Sequence, residues 1–185
     1  LSFYDFGATP FFACQYDQRF SYCLYVPADY DETAAKAYDL AVIVHGTGRT
    51  ATQYRDLFAD FAQRHDCIVL APLFPVGIIE PGDLANYKRI QFHDIRYDHV
   101  LLAMVDEVIA KYRVNGCRFL LYGYSGGGQF CQRFFMLHPE RLQAVSIGAP
   151  GVVTLLHPDY DWWVGVRDVP ARFGKAIDID AMRQV

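Results

Sequence analysis

Residues 119–128, FLLYGYSGGG, decide the fold of this chain. The first half of the stretch is an apolar run with the length of one buried strand, and apolar residues at helical spacing follow it through Leu137. Ser125 is therefore predicted to lie on a tight turn from a strand into a helix. Gly123 and Gly127 stand two residues before and after this serine, where any side chain would collide with the strained turn. The resulting G-x-S-x-G pattern is typical of a nucleophilic serine.

Such a serine needs hydrogen-bond donors for the oxyanion that forms when it attacks a carbonyl carbon. These donors commonly come from the N–H after the nucleophile and from a loop that follows an earlier strand. We predict the Gly126 N–H as the first donor and the Thr47 N–H as the second, because Gly46 lets the backbone turn toward the site. The Gly48 N–H is the alternative. His45, at the start of the same loop, is predicted to be a structural residue bonded at the strand end.

The composition of the 185 residues predicts one soluble globular domain. Hydrophobic residues make up 52% of the chain and aromatic residues 16%, which excludes a disordered protein. No apolar run approaches the length needed to cross a bilayer, so no membrane partner is expected. The net charge of -4 and the lack of a Lys/Arg run disfavour nucleic acid as a partner. No signal peptide is visible, and we expect a cytoplasmic protein.

The cysteines show no C-x-x-C spacing, and we interpret them as core thiols. One pair leaves an alternative open. If residues 11–26 form a hairpin that turns at Gln18-Arg19, Cys14 and Cys23 face each other within disulfide reach. Gln-Arg is a poor turn sequence, which counts against that bridge. The five cysteines are Cys14, Cys23, Cys67, Cys117 and Cys131.

Four apolar runs have the length of buried strands, and they alternate with segments of helical periodicity. This alternation predicts an α/β protein with a doubly wound, mostly parallel sheet. Residues 11–26 predict an antiparallel pair at the sheet edge, and residues 72–92 predict a long loop at the end of a strand, where α/β enzymes place substrate contacts. The strands are predicted at 40–45, 67–71, 119–122 and 143–148, and the helices at 54–62, 101–112 and 130–137.

The pattern changes after residue 150, which divides the chain in two. Residues 1–150 are predicted to form the α/β core. Residues 151–185 are predicted to form a lid over the sheet, whose aromatic residues, Trp162 and Trp163 among them, line an apolar pocket, followed by the approach to a further strand. An ordinary connection that packs into the core is the alternative.

With these residues, the sequence resembles the serine hydrolases of the α/β-hydrolase fold, and within them esterases similar to polyhydroxyalkanoate depolymerases and feruloyl esterases. The resemblance spans about residues 40–151. It implies hydrolysis of a small-molecule or polymeric ester through an acyl-enzyme, without a cofactor or a metal. The features that carry it are the 45–48 loop, the helix before the serine, the 123–127 turn, and the His138-Pro139-Glu140-Arg141 turn that leads into 145–151.

The chain departs from that family in its acid and histidine, which in the family follow the serine in that order. His138 lies about thirteen residues along a helix, roughly 20 Å from Ser125 at 1.5 Å per residue, and is too far to be the base. His157, beside Asp159, would reach the serine only if its segment folded back. We therefore expect the acid and the histidine beyond Val185, in a C-terminal segment or a second chain, so that the sheet is truncated before its last strands.

Other functions compete with this interpretation. Residues 46–51 match the G-x-G-x-x-[GA] pattern of an NAD(P)-binding oxidoreductase, but the acidic residue expected after the next strand is absent, and Asp66 precedes that strand. A chain without its acid and base would behave as a non-catalytic, hydrolase-like binding module. An acyltransferase or a peptidase would use the same parts. Residues 93–99 hold two His-Asp neighbours that fit no known metal-ligand spacing and predict the polar start of a helix.

Overall fold

The computed structural model describes residues 1–185 and confirms the predicted α/β architecture. No helix combines the length and the apolar character needed to cross a bilayer. The strands are β1 (Gly7–Ala8), β2 (Phe12–Ala13), β3 (Ser21–Val26), β4 (Asp39–Val44), β5 (Cys67–Leu73), β6 (Gln91–Phe92), β7 (Ile95–Arg96), β8 (Phe119–Tyr124) and β9 (Leu142–Gly148). The helices are α1 (Ala51–Leu57), α2 (Ala59–Arg64), α3 (Tyr97–Lys111), α4 (Gly126–Leu137), α5 (Val169–Phe173) and α6 (Ile179–Met182).

The main sheet has seven strands, in the order β1-β3-β5-β4-β8-β9, with β2 also paired to β3. The pairs β5–β4, β4–β8 and β8–β9 are parallel, whereas β3 runs antiparallel to β5 and to both short edge strands. The remaining two strands, β6 and β7, form a separate small hairpin. Parallel strands end at the same edge of a sheet, so the loops after β4, β5 and β8 meet there.

The two faces of the sheet are covered to different extents. Alternate residues of the central strands, such as Val42 and Leu121, pack with α3 and α4 in a core of 34 buried residues. The intervening residues, such as Ile43 and Val69, pack with α1 and α2 in a cluster of five. This second face continues toward β9 as an open apolar groove of about 400 Å³ lined by residues such as Phe58.

The alternative left open for Cys14 and Cys23, a disulfide across the first hairpin, is excluded because the hairpin has a different register. Phe12 lies opposite Tyr22, which places Cys14 next to Phe20. Cys23 instead pairs with Ala71 of β5. The Asp17 side chain accepts the Arg19 N–H at 3.1 Å and so moves the turn toward the N-terminus. All five cysteines are free thiols.

Two further elements differ from the sequence prediction. The single helix expected over 54–62 is divided at Phe58, whose backbone (φ -101°, ψ 5°) ends α1 and precedes α2. The loop predicted over 72–92 contains a 3-10 helix, Asn86–Arg89, and ends in β6. This 3-10 helix packs against α4 and so brings the loop beside Ser125.

Candidate active site

Ser125 occupies the turn between β8 and α4 with a strained backbone. Its φ of 56° and ψ of -117° lie in a region that a residue with a side chain rarely adopts, at a cost of about 1–3 kcal/mol. Two backbone bonds of 3.0 Å hold this conformation, from the Ser125 N–H to the Gly148 carbonyl and from the Gln129 N–H to the Ser125 carbonyl. The side chain is exposed, and its hydroxyl does not cap the helix. The turn therefore presents a free hydroxyl to solvent.

The glycines on either side of Ser125 allow close contacts between backbone segments. A Cβ on Gly123 would overlap the Gly127 carbonyl and lie 2.6 Å from the Cys131 Sγ. A Cβ on Gly127 would overlap the carbonyl of Val44 at the end of β4 and lie 2.7 Å from the His45 oxygen. Glycine is required at both positions because no side chain fits. These contacts bring the N-terminus of α4 against the 45–48 loop.

The orientation of the 45–48 loop follows from the partners of its carbonyl groups. The Gly46 oxygen contacts the His45 Nδ1 at 2.9 Å and accepts the Arg49 N–H at 3.2 Å. In a trans peptide the following N–H points the opposite way, so the Thr47 N–H faces away from the His45 ring. The Arg49 guanidinium also holds the Thr47 carbonyl at 2.7 Å, which fixes the next peptide unit.

The structure brings together the residues that the sequence singled out. A Cβ built on Gly46 would lie 3.8 Å from the Ser125 Cβ, and one built on Gly126 would lie 2.9 Å from the Thr47 Oγ1. Gly126 is the first residue of α4, and the N–H groups of a first helical turn have no partner within the helix. The N-terminal ends of helices carry partial positive charge, which favours an anion there. The arrangement is suited to stabilising an oxyanion beside Ser125.

His45 is fully buried, and both of its ring nitrogens are occupied. Its Nε2 accepts the Phe74 N–H at 3.0 Å, so the proton resides on Nδ1, which donates to the Gly46 carbonyl. Burial lowers the pKa of His45 to about 4, and the ring is neutral at pH 7. His45 therefore joins the end of β4 to the loop after β5, and it supports the 45–48 loop without offering a base to Ser125.

Neither downstream histidine contacts Ser125. His138 follows the last residue of α4, about 18 Å along the helix, and its Nε2 lies 2.8 Å from the Asp98 Oδ2. His157 is exposed, and its Nδ1 accepts the Asp159 N–H at 3.3 Å. Ser125 and the His–Asp pair of this chain are therefore at opposite ends of α4.

Asp98 is the carboxylate of that pair, rather than a metal ligand at the start of α3. It accepts a bond from the His138 Nε2 at 2.8 Å. It also accepts two bonds from the Arg96 guanidinium, at 2.6 and 2.9 Å. Burial opposes ionisation of Asp98, but the hydrogen bonds from His138 and Arg96 outweigh it and hold the pKa of Asp98 well below its usual range. The cluster joins α3 to the end of α4.

Two residues beside the candidate site were missed by the sequence analysis. A Cβ on Gly126 would lie 2.6 Å from the Tyr87 Oη and 2.9 Å from the Lys88 Cε. Both residues belong to the 3-10 helix in the loop after β5, and Tyr87 donates its hydroxyl proton to the His45 carbonyl at 3.1 Å. The sequence predicted substrate contacts from this loop but contained no motif that distinguished these two positions.

The segment after β9 packs on α4 and on the 86–89 helix. Trp162 is buried, donates its Nε1–H to the Arg89 carbonyl at 2.7 Å, and stacks edge-on with Phe173. Thr154 is buried and accepts a bond from Arg133 of α4 at 2.8 Å. These tryptophan and threonine contacts anchor the segment, and whether it acts as a lid stays a prediction.

Asp66 lies at the start of β5, at the sheet edge opposite the glycine-rich 46–48 loop, and forms an ion pair of 2.6 Å with Lys36. A strand of seven residues spans roughly 23 Å. Asp66 is therefore far from the position at which an acidic residue would contact the ribose of a bound dinucleotide.

Solved structures of similar fold were compared with the chain. It superposes on poly(aspartic acid) hydrolase-1 from Sphingomonas sp. KT-1 with a TM-score of 0.76 and 22% identity, over 96% of this chain and 67% of that one. The poly(3-hydroxybutyrate) depolymerase LpqC from Bordetella parapertussis gives 0.70 and 23%, over 89% and 56%. A fluorophosphonate-binding serine hydrolase from Staphylococcus aureus gives 0.58 and 17%, over 77% and 55%. Neither a protein-family model nor a curated protein sequence matches the chain.

These structures show that the chain has an α/β-hydrolase-like fold, as the resemblance implied. The chain spans about two thirds of the first structure and little more than half of the other two. Its structural neighbours are esterases and serine hydrolases. At these identities the likeness extends to the fold and not to a particular substrate.

Proposed function

We propose that the protein is a serine hydrolase that cleaves carboxylic esters through an acyl-enzyme. The observation that carries the proposal is the strained, exposed Ser125 at the start of α4, beside the Gly126 and Thr47 amides. In the proposed reaction the Ser125 Oγ attacks the carbonyl carbon, and the two N–H groups stabilise the oxyanion. The alcohol then leaves, and water hydrolyses the acyl-serine. No cofactor takes part in these steps.

The acid and the histidine of this reaction are proposed to come from a C-terminal segment or from a second chain. Two observations support that proposal. No histidine among these residues contacts Ser125, and the outer edge of β9 has no partner strand. The apolar groove beside β9, lined by Leu120 and Val145 among others, offers a surface for such a segment. Sheet edges of this kind are usually covered or paired.

The division into a core of residues 1–150 and a lid of residues 151–185 belongs to the same proposal. The second segment packs on α4 directly after the residues that surround Ser125, which supports a position over the site. A cytoplasmic location is also proposed, because all five cysteines are free thiols, as is usual in reducing compartments.

Ester turnover by the full-length protein tests the proposal. With p-nitrophenyl acetate we expect a burst of p-nitrophenol equal to the enzyme concentration wherever deacylation is the slower step, which is the kinetic sign of an acyl-enzyme. An added alcohol distinguishes hydrolysis from acyl transfer. An acyltransferase would transfer the acetyl group to the alcohol and form a new ester, whereas a hydrolase would release acetate. A protein that binds the ester without releasing p-nitrophenol would be the non-catalytic module instead.

A further inference from the structure

Lys88 extends along the start of α4 with its position fixed from both sides. A Cβ on Gly126 would lie 2.9 Å from the Lys88 Cε, so the lysine side chain runs directly over the proposed oxyanion donor. The Lys88 carbonyl accepts a bond of 2.5 Å from the buried Arg133, and the neighbouring Tyr87 is bonded to the His45 carbonyl. Lys88 is thus carried by a rigid part of the loop.

Lys88 belongs to a group of cations that lack carboxylate partners, which we call the cation cluster: Arg49, Lys88, Arg89 and Arg133. Most other lysines and arginines of the chain form ion pairs, for example Arg96 with Asp98 and Lys111 with Asp5. Arg49 instead donates to the oxygens of Thr47, Phe74, Leu84 and Asn86. Arg89 and Arg133 lie over the Trp163 ring, at 5.0 and 5.2 Å.

Arg133 strengthens the positive potential of the cluster because its charge is buried. Its side chain is 0% exposed, and one terminal nitrogen, Nη2, has no hydrogen-bond partner. Burial and the nearby Arg89 lower the pKa of Arg133 to about 10, so that it remains charged at pH 7. A buried charge is screened less by salt than an exposed one.

The Lys88 ammonium likewise forms no ion pair with a carboxylate. Burial lowers its pKa, and repulsion from Arg49, Arg133 and Arg89 acts in the same direction. The carboxylate of Asp83 opposes them. In a protein with a net charge of -4, this is a local concentration of uncompensated positive charge beside the nucleophile. Such a concentration favours a negatively charged ligand.

We propose that Lys88, supported by the three arginines of the cation cluster, binds a carboxylate that the substrate carries a few bonds from its scissile carbonyl. The inference rests on the proposed function and names its substrate class, which is the half-esters of dicarboxylic acids. In this arrangement Lys88 is a specificity residue. It recognises the charged end of the acyl group while the Gly126 and Thr47 amides hold the oxyanion.

Two esters that differ in one charged group test the proposal on the full-length protein. Mono-p-nitrophenyl adipate carries a terminal carboxylate, and p-nitrophenyl hexanoate has an uncharged acyl group with the same number of carbons. We expect kcat/KM to be about tenfold higher for the adipate, because one partly screened ion pair contributes about that factor. We expect this preference to decrease in 0.5 M NaCl, which screens the ion pair. Lys88→Met should reduce this preference about tenfold. Arg64→Gln removes an exposed cation on α2 and should leave it unchanged.

Three results would overturn the inference: no preference in the wild-type protein, a preference that Lys88→Met does not change, or an equal loss in Arg64→Gln. Hydrolysis of the hexanoate without a preference for the adipate would contradict the inference and leave the proposed function intact. If neither ester is hydrolysed, the proposed function fails, and binding still decides the inference. Ser125→Ala should then show ligand-observed NMR binding of monomethyl adipate, and Ser125→Ala combined with Lys88→Met should not.

Discussion

The two ends of α4 differ in exposure, in backbone strain and in hydrogen bonding. At the N-terminal end, Ser125 is exposed and strained and has amide groups beside it, but no histidine. At the C-terminal end, the His138 Nε2 is bonded to the buried Asp98, and its Nδ1 lies 3.2 Å from the Lys175 Nζ. About 18 Å of helix separates them. A serine, a histidine and an aspartate are therefore all present, but only the Ser125 end of α4 is exposed to solvent.

The difference teaches that access to solvent, and not residue type alone, decides where substrate can be reached. The carboxylate of Asp98 is fully buried and bonded to both His138 and Arg96, so the cluster contributes to stability and is closed to substrate. The Ser125 end has the opposite character, since a strained backbone with an exposed side chain reduces stability in return for access. Substitutions at the Ser125 end should change activity, and substitutions at the Asp98–His138 end should change stability.

Ser125→Ala should have the largest effect of any single change. Without the nucleophile we expect kcat/KM for p-nitrophenyl esters to fall by about 10⁴-fold or more, because the remaining groups bind substrate without forming the acyl-enzyme. The melting temperature should stay the same or rise slightly. Steady-state kinetics and thermal unfolding measure the two quantities. Ser2→Ala, at an exposed serine near the N-terminus, is the matched control and should retain activity. Equal losses in the two variants would remove the distinction between the ends of α4.

Asp98→Asn should show the reverse pattern. Removing one partner of a buried ion pair leaves His138 and Arg96 without their carboxylate, and the free energy of unfolding should fall by about 3–5 kcal/mol. Urea unfolding measures the loss. Asp106→Asn breaks the exposed pair with Arg141 and should cost less than about 1 kcal/mol. If the two asparagine variants were equally stable, the His138 end would not be the stabilising cluster described here.

Acid should destabilise the protein through the same carboxylate. The pKa of Asp98 is lower in the folded state than in the unfolded state, so its contribution to stability is complete above the unfolded value, near 4, and decreases as the pH falls toward the folded value. Asp5, whose pKa is lowered to about 2, acts in the same direction. Urea unfolding between pH 7 and pH 3 should show stability declining below about pH 5. In Asp98→Asn this slope should be shallower, and an unchanged slope would assign it to other groups.

Tyr87→Phe should have the smallest of these effects. It removes one neutral hydrogen bond, from the Tyr87 hydroxyl to the His45 carbonyl, which contributes about 1 kcal/mol. Because that bond holds the loop after β5 to the oxyanion loop, we expect a decrease in kcat of less than about tenfold, together with a small decrease in stability. Phe74→Leu, in the same aromatic cluster, is a packing control that should affect stability more than kcat. The reverse order would show that Tyr87 acts on the reaction directly.

Features that depend on neighbouring residues could be predicted from the sequence, and features that depend on distant contacts could not. The turn at Ser125 was predictable because the steric requirement at Gly123 and Gly127 is local to the turn. The central parallel strands were predictable because continuous apolar runs are typical of strands buried on both faces. The hairpin register was not, since it depends on the Asp17 side chain closing a longer turn.

The surroundings of Ser125 show the same limit. The Lys88 backbone is held beside α4 by a hydrogen bond to its carbonyl from Arg133, 45 residues later. The Asp98–His138 bond likewise joins residues 40 apart in the chain. No spacing rule predicts either contact, because each depends on how α3, α4 and the loop after β5 pack together.

The reactivity of Ser125 is the central claim, and covalent labelling tests it most directly. The full-length protein is incubated with a fluorophosphonate probe, and the modified residue is identified by peptide mass spectrometry. We expect one adduct per chain, on the peptide that contains Ser125, and no labelling of Ser125→Ala. An adduct on a different residue, or a folded protein whose Ser125 stays unmodified, would contradict it.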